Sequence, residues 1–255
     1  MEHVDFGKTA TDYRRHRAGF PPALFELLAG WGIGLPGQRL LDLGTGTGTL
    51  ARGFAQRGAQ VAGLDTSANM LTQARQLDAE VGVAVDYLQG TAEATGLADG
   101  AFDIISAGQC WHWFRRDEAA HEAWRLLRPG GRIVLAHFDW LPLPGNVVAT
   151  TESLILQHNP AWRGAGGTGI HPGHFADLAQ AGFSGLRSAS FDMAVPYSHE
   201  GWRGRIRASA GVAASLPAEQ VAAFDAELAA MLARDFPTEL LQVPHRVFAV
   251  MGVKC

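Results

Sequence analysis

The stretch LLDLGTGTGTL, residues 40–50, sets three glycines at alternate positions directly behind an apolar run that contains one acid, Asp42. The apolar part is short and bounded, as a buried strand is. From Thr49 a helical pattern runs to Gly58. Glycines 44, 46 and 48 between a strand and a helix let the chain turn tightly and bring a ligand close to backbone N–H groups at the helix N-terminus. That favours a nucleotide-like ligand. A dinucleotide loop asks for G-x-G-x-x-G, but the third position here, 49, is Thr. Asp42 would also repel a pyrophosphate, whereas it attracts an ammonium group, directly or through water. A second acid, Asp65, closes the next apolar run 21 residues after Gly44, about where an acid accepts hydrogen bonds from ribose hydroxyls. Together the two acids imply an adenosine-type nucleoside with an amino-acid end.

Outward from this loop, short apolar runs alternate with segments of helical period. Strands are expected at 39–43, 60–64, 83–88, 102–107 and 131–137. One helix starts at Ser67, a good N-cap, with Met70, Leu71, Ala74 and Leu77 on one face. Another carries Ala120, Trp124 and Leu127 and stops at RPGG, 128–131. This alternation reads as a doubly wound, mainly parallel sheet. Residues 141–182 are rich in Pro, Gly and polar residues, and 186–195 and 246–253 again look like strands. Between those two strands, 197–240 reads as a helical insertion, with Val221, Phe224, Leu228 and Leu232 on a helical stripe behind Pro217 at N1.

Composition narrows the function. The 255 residues are 47% hydrophobic, enough for a substantial core in one α/β domain. A formal charge of −4 gives no basic field, so nucleic acid is not expected as a partner. No apolar run approaches the ~20 residues of a membrane span, and the polar N-terminus lacks a signal-peptide core. A cytoplasmic monomer or homodimer, with no membrane partner, is expected.

Four segments in order, LLDLGTGTG, GLDTSANML, GTAEATGLADGAFDIISAGQCWHWF and EAWRLLRPGGRIVLA, resemble the class I S-adenosylmethionine-dependent methyltransferases, in particular the small-molecule type 11 group. The resemblance covers roughly residues 10–140. It implies an α/β, doubly wound, mainly parallel seven-stranded Rossmann-like sheet with an antiparallel last strand and helical lid insertions. One methyltransferase domain over 1–255 follows: a lid segment at 1–30, a cofactor core at 31–140 and a substrate-side tail at 141–255. S-adenosylmethionine is the implied cofactor. Gly44, Gly46 and Gly48 would approach its methionine part and Asp42 its amino group. Asp65 would hold the ribose, Met70 would pack on adenine, and Ala92 and Glu93 would lie at the adenine edge. There Thr91 replaces the acid that usually precedes the alanine, and Glu93 or a backbone carbonyl can substitute. Gln109 would face the sulfonium. YRRHRAGFPP resembles the family's N-terminal Tyr…Arg…Pro segment, so Tyr13 and Arg17 would close over the cofactor carboxylate.

The acceptor is expected beside CWHWF, 110–114, where aromatic rings can line a pocket and face a cation. Trp111, Trp113, His137 and Arg205 are the candidate substrate contacts. His112 is the candidate base for an acceptor that must lose a proton, with His137 as the alternative. HPGH sets His171 and His174 three residues apart; with His137 or His112 they can make a metal site, but Pro172 and His174 also read as a helix start, and no metal is expected. In GWRGRIR, arginines beside an aromatic suit a carboxylate-bearing acceptor or a solvated helix face. The expected reaction is methyl transfer to a small molecule, with oxygen favoured over nitrogen or carbon. A catalytically silent S-adenosylmethionine-binding protein is the alternative.

Overall fold

In the computed structural model, residues 19–255 are described; Tyr13 and Arg17 lie outside them. Helix α1, Pro22–Gly30, starts with proline in its first turn, where the missing N–H is no loss, and buries Leu24, Phe25 and Leu28. Strand β1 is Arg39–Leu43 and helix α2 is Thr49–Ala55. Phe25 of α1 packs edge-to-face on Phe54 of α2, ring centroids 5.2 Å apart. The alternation continues with β2 at Gln60–Asp65, α3 at Ala68–Val81, β3 at Asp86–Gln89, β4 at Phe102–Gly108, a 3₁₀ turn at Trp111–Trp113 and α4 at Arg116–Leu126. Then follow β5 (Leu127–Trp140), α5 (Val147–His158), α6 (Gly173–Gln180), β6 (Ser184–Ser198), α7 (His199–Arg207), α8 (Ala218–Asp235) and β7 (Leu240–Val253). No helix among the described residues is long and apolar enough to cross a membrane.

The seven strands form one sheet in the order β3-β2-β1-β4-β5-β7-β6. Strands β1 to β5 pair in parallel and the last strand runs antiparallel, as expected for this class. The order reverses between β1 and β4, and that switch point sets the carboxyl ends of two adjacent strands side by side where ligands bind in open α/β sheets. Arg52 of α2 braces the neighbouring layer. Its guanidinium pairs with Asp78 of α3 at 2.7 Å and donates to the carbonyls of Thr47 and Ala74 at 2.8 and 3.3 Å.

Several boundaries differ from the sequence reading for local reasons. RPGG, expected to stop a helix, belongs to β5; α4 ends at Leu126, and Gly130 N–H donates to the Lys254 carbonyl at 2.7 Å. Pro217 is the N-cap of α8 and not its first helical residue. The Pro/Gly-rich stretch 141–182 holds two helices, α5 and α6.

The described chain divides into two compact units. The first is Gly19–Phe138, His171–Ser190 and Val247–Cys255; the second is Asp139–Ile170 and Phe191–Arg246. In the first unit, Leu41, Leu43, Ile105, Ile133 and Leu135 of the sheet pack with Trp111, Ala120, Ala123, Leu126 and Leu178. In the second, α5, α7 and α8 enclose Val148, Ile155, Trp202, Ile206, Phe224 and Leu228. Trp202 donates its indole N–H to Thr151 Oγ1 at 3.0 Å. Asn146 caps α5: its Oδ1 accepts from Ala149 N–H at 2.9 Å and its Nδ2 donates to the Leu141 carbonyl at 2.8 Å. Asn146→Ala should therefore lower stability by about 1–2 kcal/mol, read as a shift in the urea midpoint at constant slope. An unshifted midpoint would show that the cap contributes nothing.

Candidate functional site

The loop between β1 and α2 takes left-handed backbone at Gly44, Gly46 and Gly48, with φ of 60°, 57° and 76°. A side chain at each would cost about 1–2 kcal/mol in backbone strain. Their surroundings differ. A Cβ on Gly44 would lie 2.8 Å from Phe114 and 2.9 Å from Cys110 Sγ, and one on Gly48 would lie 2.1 Å from the Tyr87 hydroxyl. On Gly46 it would meet no described atom within 4 Å. Gly44 and Gly48 thus seat the loop against the protein, whereas Gly46 presents bare backbone. Asp65, at the end of β2, fixes that backbone: its Oδ2 accepts from Gly46 N–H at 2.8 Å and its Oδ1 from Ser67 N–H at 2.9 Å. Each oxygen keeps a second lone pair for another donor.

Asp42 lies beneath the loop, 1% exposed. It faces Ser106 across the β1–β4 register and accepts the Ser106 hydroxyl at 2.6 Å. Burial pushes its pKa up to about 6, outweighing the Ser106 hydrogen bond that pulls the other way. At neutral pH the ionised carboxylate is therefore a destabilised group that a nearby cation would relieve.

Met70 is buried in the first turn of α3, its N–H facing the Ser67 hydroxyl. Ala92 is buried in the core. Glu93 accepts from Arg115 N–H at 2.9 Å, tying its loop to the start of α4. Gln109 is the one described non-glycine residue with left-handed φ, 62°. Its N–H donates to the Ala136 carbonyl at 2.9 Å and its Nε2 to the Phe138 carbonyl, so two bonds to β5 hold a strained backbone at the end of β4.

Around the 3₁₀ turn the candidate acceptor residues separate. Trp111 is fully buried and gives its indole N–H to Asp177 Oδ2 at 3.0 Å, so its ring is core and lines no open surface here. Trp113 is 45% exposed, and His112 is exposed beside it with ring centroids 4.7 Å apart. The His112 ring lies 6.4 Å from that of His137, which is buried in the second half of β5. His137 stacks on His171 at 3.7 Å, and its Nε2 lies 2.9 Å from His174 Nε2. Burial, aided by the adjacent His171, pushes the His174 pKa down to about 4 and keeps it neutral at pH 7. Arg205 belongs to the second unit, its guanidinium 4.7 Å from the Trp140 ring centroid. Its neighbours Arg203 and Arg207 pair with Asp225.

Two supporting residues were not picked out from the sequence. Ser106 could have been found from strand register, since it sits opposite Asp42. Asp177 carries no sequence signal: it is a lone acid on α6 whose partners Trp111 and Arg116 come from 61 and more residues earlier.

The Asp42 environment has a measurable consequence in the ligand-free protein. Its raised pKa means the folded state binds more protons than the unfolded state between about 3.8 and 6. Its contribution is therefore fully present below pH 3.8 and lost as the pH rises through 6. Asp42→Asn keeps an acceptor for Ser106 and should flatten this interval, raising stability at pH 7.5 by about 2–3 kcal/mol. Denaturation curves with the same pH dependence in both proteins would contradict the assignment.

Residues 41–135 match the methyltransferase domain family of type 11. An uncharacterized methyltransferase of Mycobacterium bovis is 36% identical over 132 residues, 52% of this chain and 51% of the relative. The chain thus spans about half the length of the first curated relatives that it matches. A ubiquinone/menaquinone biosynthesis C-methyltransferase of Cereibacter sphaeroides is 28% identical over 198 residues, 70% of this chain and 79% of that one. Among solved structures, phosphoethanolamine N-methyltransferase 2 of Haemonchus contortus superposes with a TM-score of 0.59 at 20% identity, covering all of this chain and 60% of the other. That similarity establishes the fold. Residues 41–135, with the glycine loop, Asp42 and Asp65 at their head, are thus similar to a methyltransferase domain of the type 11 group.

Proposed function

We propose that the chain transfers a methyl group to a small-molecule acceptor, with oxygen favoured over nitrogen or carbon. The observation that carries this reading is the bare Gly46 backbone, held by Asp65 at the switch point of the sheet, above a buried acid whose charge a cation would relieve. S-adenosylmethionine supplies the electrophilic methyl carbon on its sulfonium and brings an ammonium group and a ribose, the two donors that Asp42 and Asp65 suit. Gly44 and Gly48 shape the loop, and Gly46 takes the close approach. Met70 and Ala92 offer apolar surface for adenine, and Glu93 holds the adenine-side loop against α4. Gln109 sets the end of β4 where the sulfonium is expected. Tyr13 and Arg17 are proposed to close over the cofactor carboxylate.

Trp113, His112 and His137 are the acceptor-side residues, backed by the buried Trp111. Methyl transfer is an in-line displacement, so alignment and exclusion of water supply much of the rate. His112 orients the acceptor and removes its proton where it has one to lose. The C-methyltransferase and phosphoethanolamine N-methyltransferase relatives act on different acceptors, so the acceptor atom is left to experiment.

The test is a metabolite library screened for release of S-adenosylhomocysteine. Turnover of at least one acceptor is expected; cofactor binding with no turnover would point to a silent binding protein. With the substrate in hand, His112→Gln should lower kcat by roughly 10²–10⁴-fold and leave cofactor affinity nearly intact. The wild-type rate should rise with an apparent pKa near 6–7 that the variant lacks. Full activity in the variant would make His112 structural.

A further inference from the structure

His137, proposed above on the acceptor side, also belongs to a cluster with His171 and His174, to which methyl transfer assigns no part. His137 lies three residues before the end of β5, His171 precedes α6 and His174 lies in its first turn. One ring nitrogen from each falls within 4.8 Å of the others. His137 and His174 are 2% and 4% exposed. The His137 Nε2–His174 Nε2 contact of 2.9 Å requires a proton on one of the two nitrogens in the ion-free protein, and ligation by both would release that proton. We propose that His137, His171 and His174 bind one divalent transition-metal ion.

The donor set selects the class of ion. Three neutral imidazole nitrogens suit zinc, cobalt or nickel, and lack the oxygens that magnesium and calcium require. In a tetrahedral zinc site with bonds of 2.0–2.1 Å, adjacent nitrogens lie about 3.3 Å apart. The His137 Nε2 to His174 Nε2 separation of 2.9 Å is within a few tenths of that value. The His137 and His171 rings, now stacked, must tilt so that their in-plane lone pairs converge.

An acid stands beside the outer ring nitrogen of His174, just beyond hydrogen-bond distance. Asp177 Oδ2 lies 3.6 Å from His174 Nδ1, the nitrogen remote from His137. A carboxylate there favours the Nδ1–H tautomer and leaves the Nε2 lone pair for the ion. Asp177 is in turn held by the Trp111 indole N–H at 3.0 Å and Arg116 Nη1 at 3.3 Å. Three protein ligands leave a fourth position open, as in catalytic rather than structural zinc sites. On the reading of His112 as an acceptor-side residue, its ring 6.4 Å from His137 puts the ion beside the acceptor, where a metal lowers the pKa of a bound hydroxyl. That role rests on the proposed methyl transfer; the binding itself does not.

The test uses the untagged full chain, stripped with chelator and titrated with Co²⁺, read by visible d–d absorption and by metal analysis after gel filtration. One Co²⁺ per chain is expected, displaced by one Zn²⁺. His171→Ala, at the half-buried ligand, should weaken binding at least a hundredfold. Asp177→Asn should weaken it ten- to a hundredfold. S-adenosylhomocysteine affinity, measured by calorimetry on the same samples, should change less than twofold in His171→Ala. That readout reports folding, and in the wild type it tests the cofactor reading independently of the metal. No Co²⁺ bound at micromolar concentration, or equal binding in wild type and His171→Ala, would overturn the site.

Discussion

The hydrogen bond from Gly46 N–H to the Asp65 carboxylate joins the loop that leaves β1 to the end of its parallel neighbour β2, at 2.8 Å. Parallel register places Leu43 opposite Leu64, so the two strands end side by side and the acid of one reaches the loop of the other. Together with Thr45 N–H donating to the Leu64 carbonyl at 2.9 Å and Gly48 N–H to the Thr45 carbonyl at 2.9 Å, that tie holds three left-handed backbone positions in five residues. The glycines at 44 and 48 lie against Phe114 and Cys110, which flank the 3₁₀ turn, and Tyr87 of β3. The loop geometry is therefore a product of the assembled sheet and not of the loop alone.

The same constraint explains the buried acid. A carboxylate at position 42 of a central parallel strand costs stability that an apolar residue would not, and the hydrogen bonds it accepts, the Ser106 hydroxyl foremost, relieve only part of it. Such a residue makes physical sense as part of a site for a cationic ligand, where strain held in the free protein is released on binding. Gln109 shows the same pattern in its backbone: a left-handed non-glycine residue at a strand end, held by two bonds to β5.

The central sheet and the glycine loop were legible because their signals are local. β1, α2, β2 and the Ser67 cap are each encoded within a few residues, and their order alone implies a parallel sheet. What was not legible depends on distant partners. Nothing local distinguishes Gly46 from Gly44 and Gly48; the difference lies in what packs against each. Trp111 and Trp113 look alike in CWHWF, yet one is buried against Asp177 and the other is exposed. Helix α5 was hidden by the Pro and Gly around it, although Asn146 supplied its cap. The meeting of His171 and His174 with His137 depends on α6 packing beside the sheet, which HPGH alone does not specify.

The central claim is that the glycine loop and Asp65 hold an adenosine-type ligand with an amino-acid end. Calorimetric titration of S-adenosylhomocysteine into the wild type and into Asp65→Ala, with folding checked by circular dichroism and NAD as the control ligand, tests it most directly. The account predicts that the wild type binds S-adenosylhomocysteine and not NAD, and that the variant binds ten- to a hundredfold more weakly, about 1.5–3 kcal/mol for hydrogen bonds to a charged acceptor. Unchanged affinity in a folded Asp65→Ala protein, or equal binding of NAD by the wild type, would contradict it.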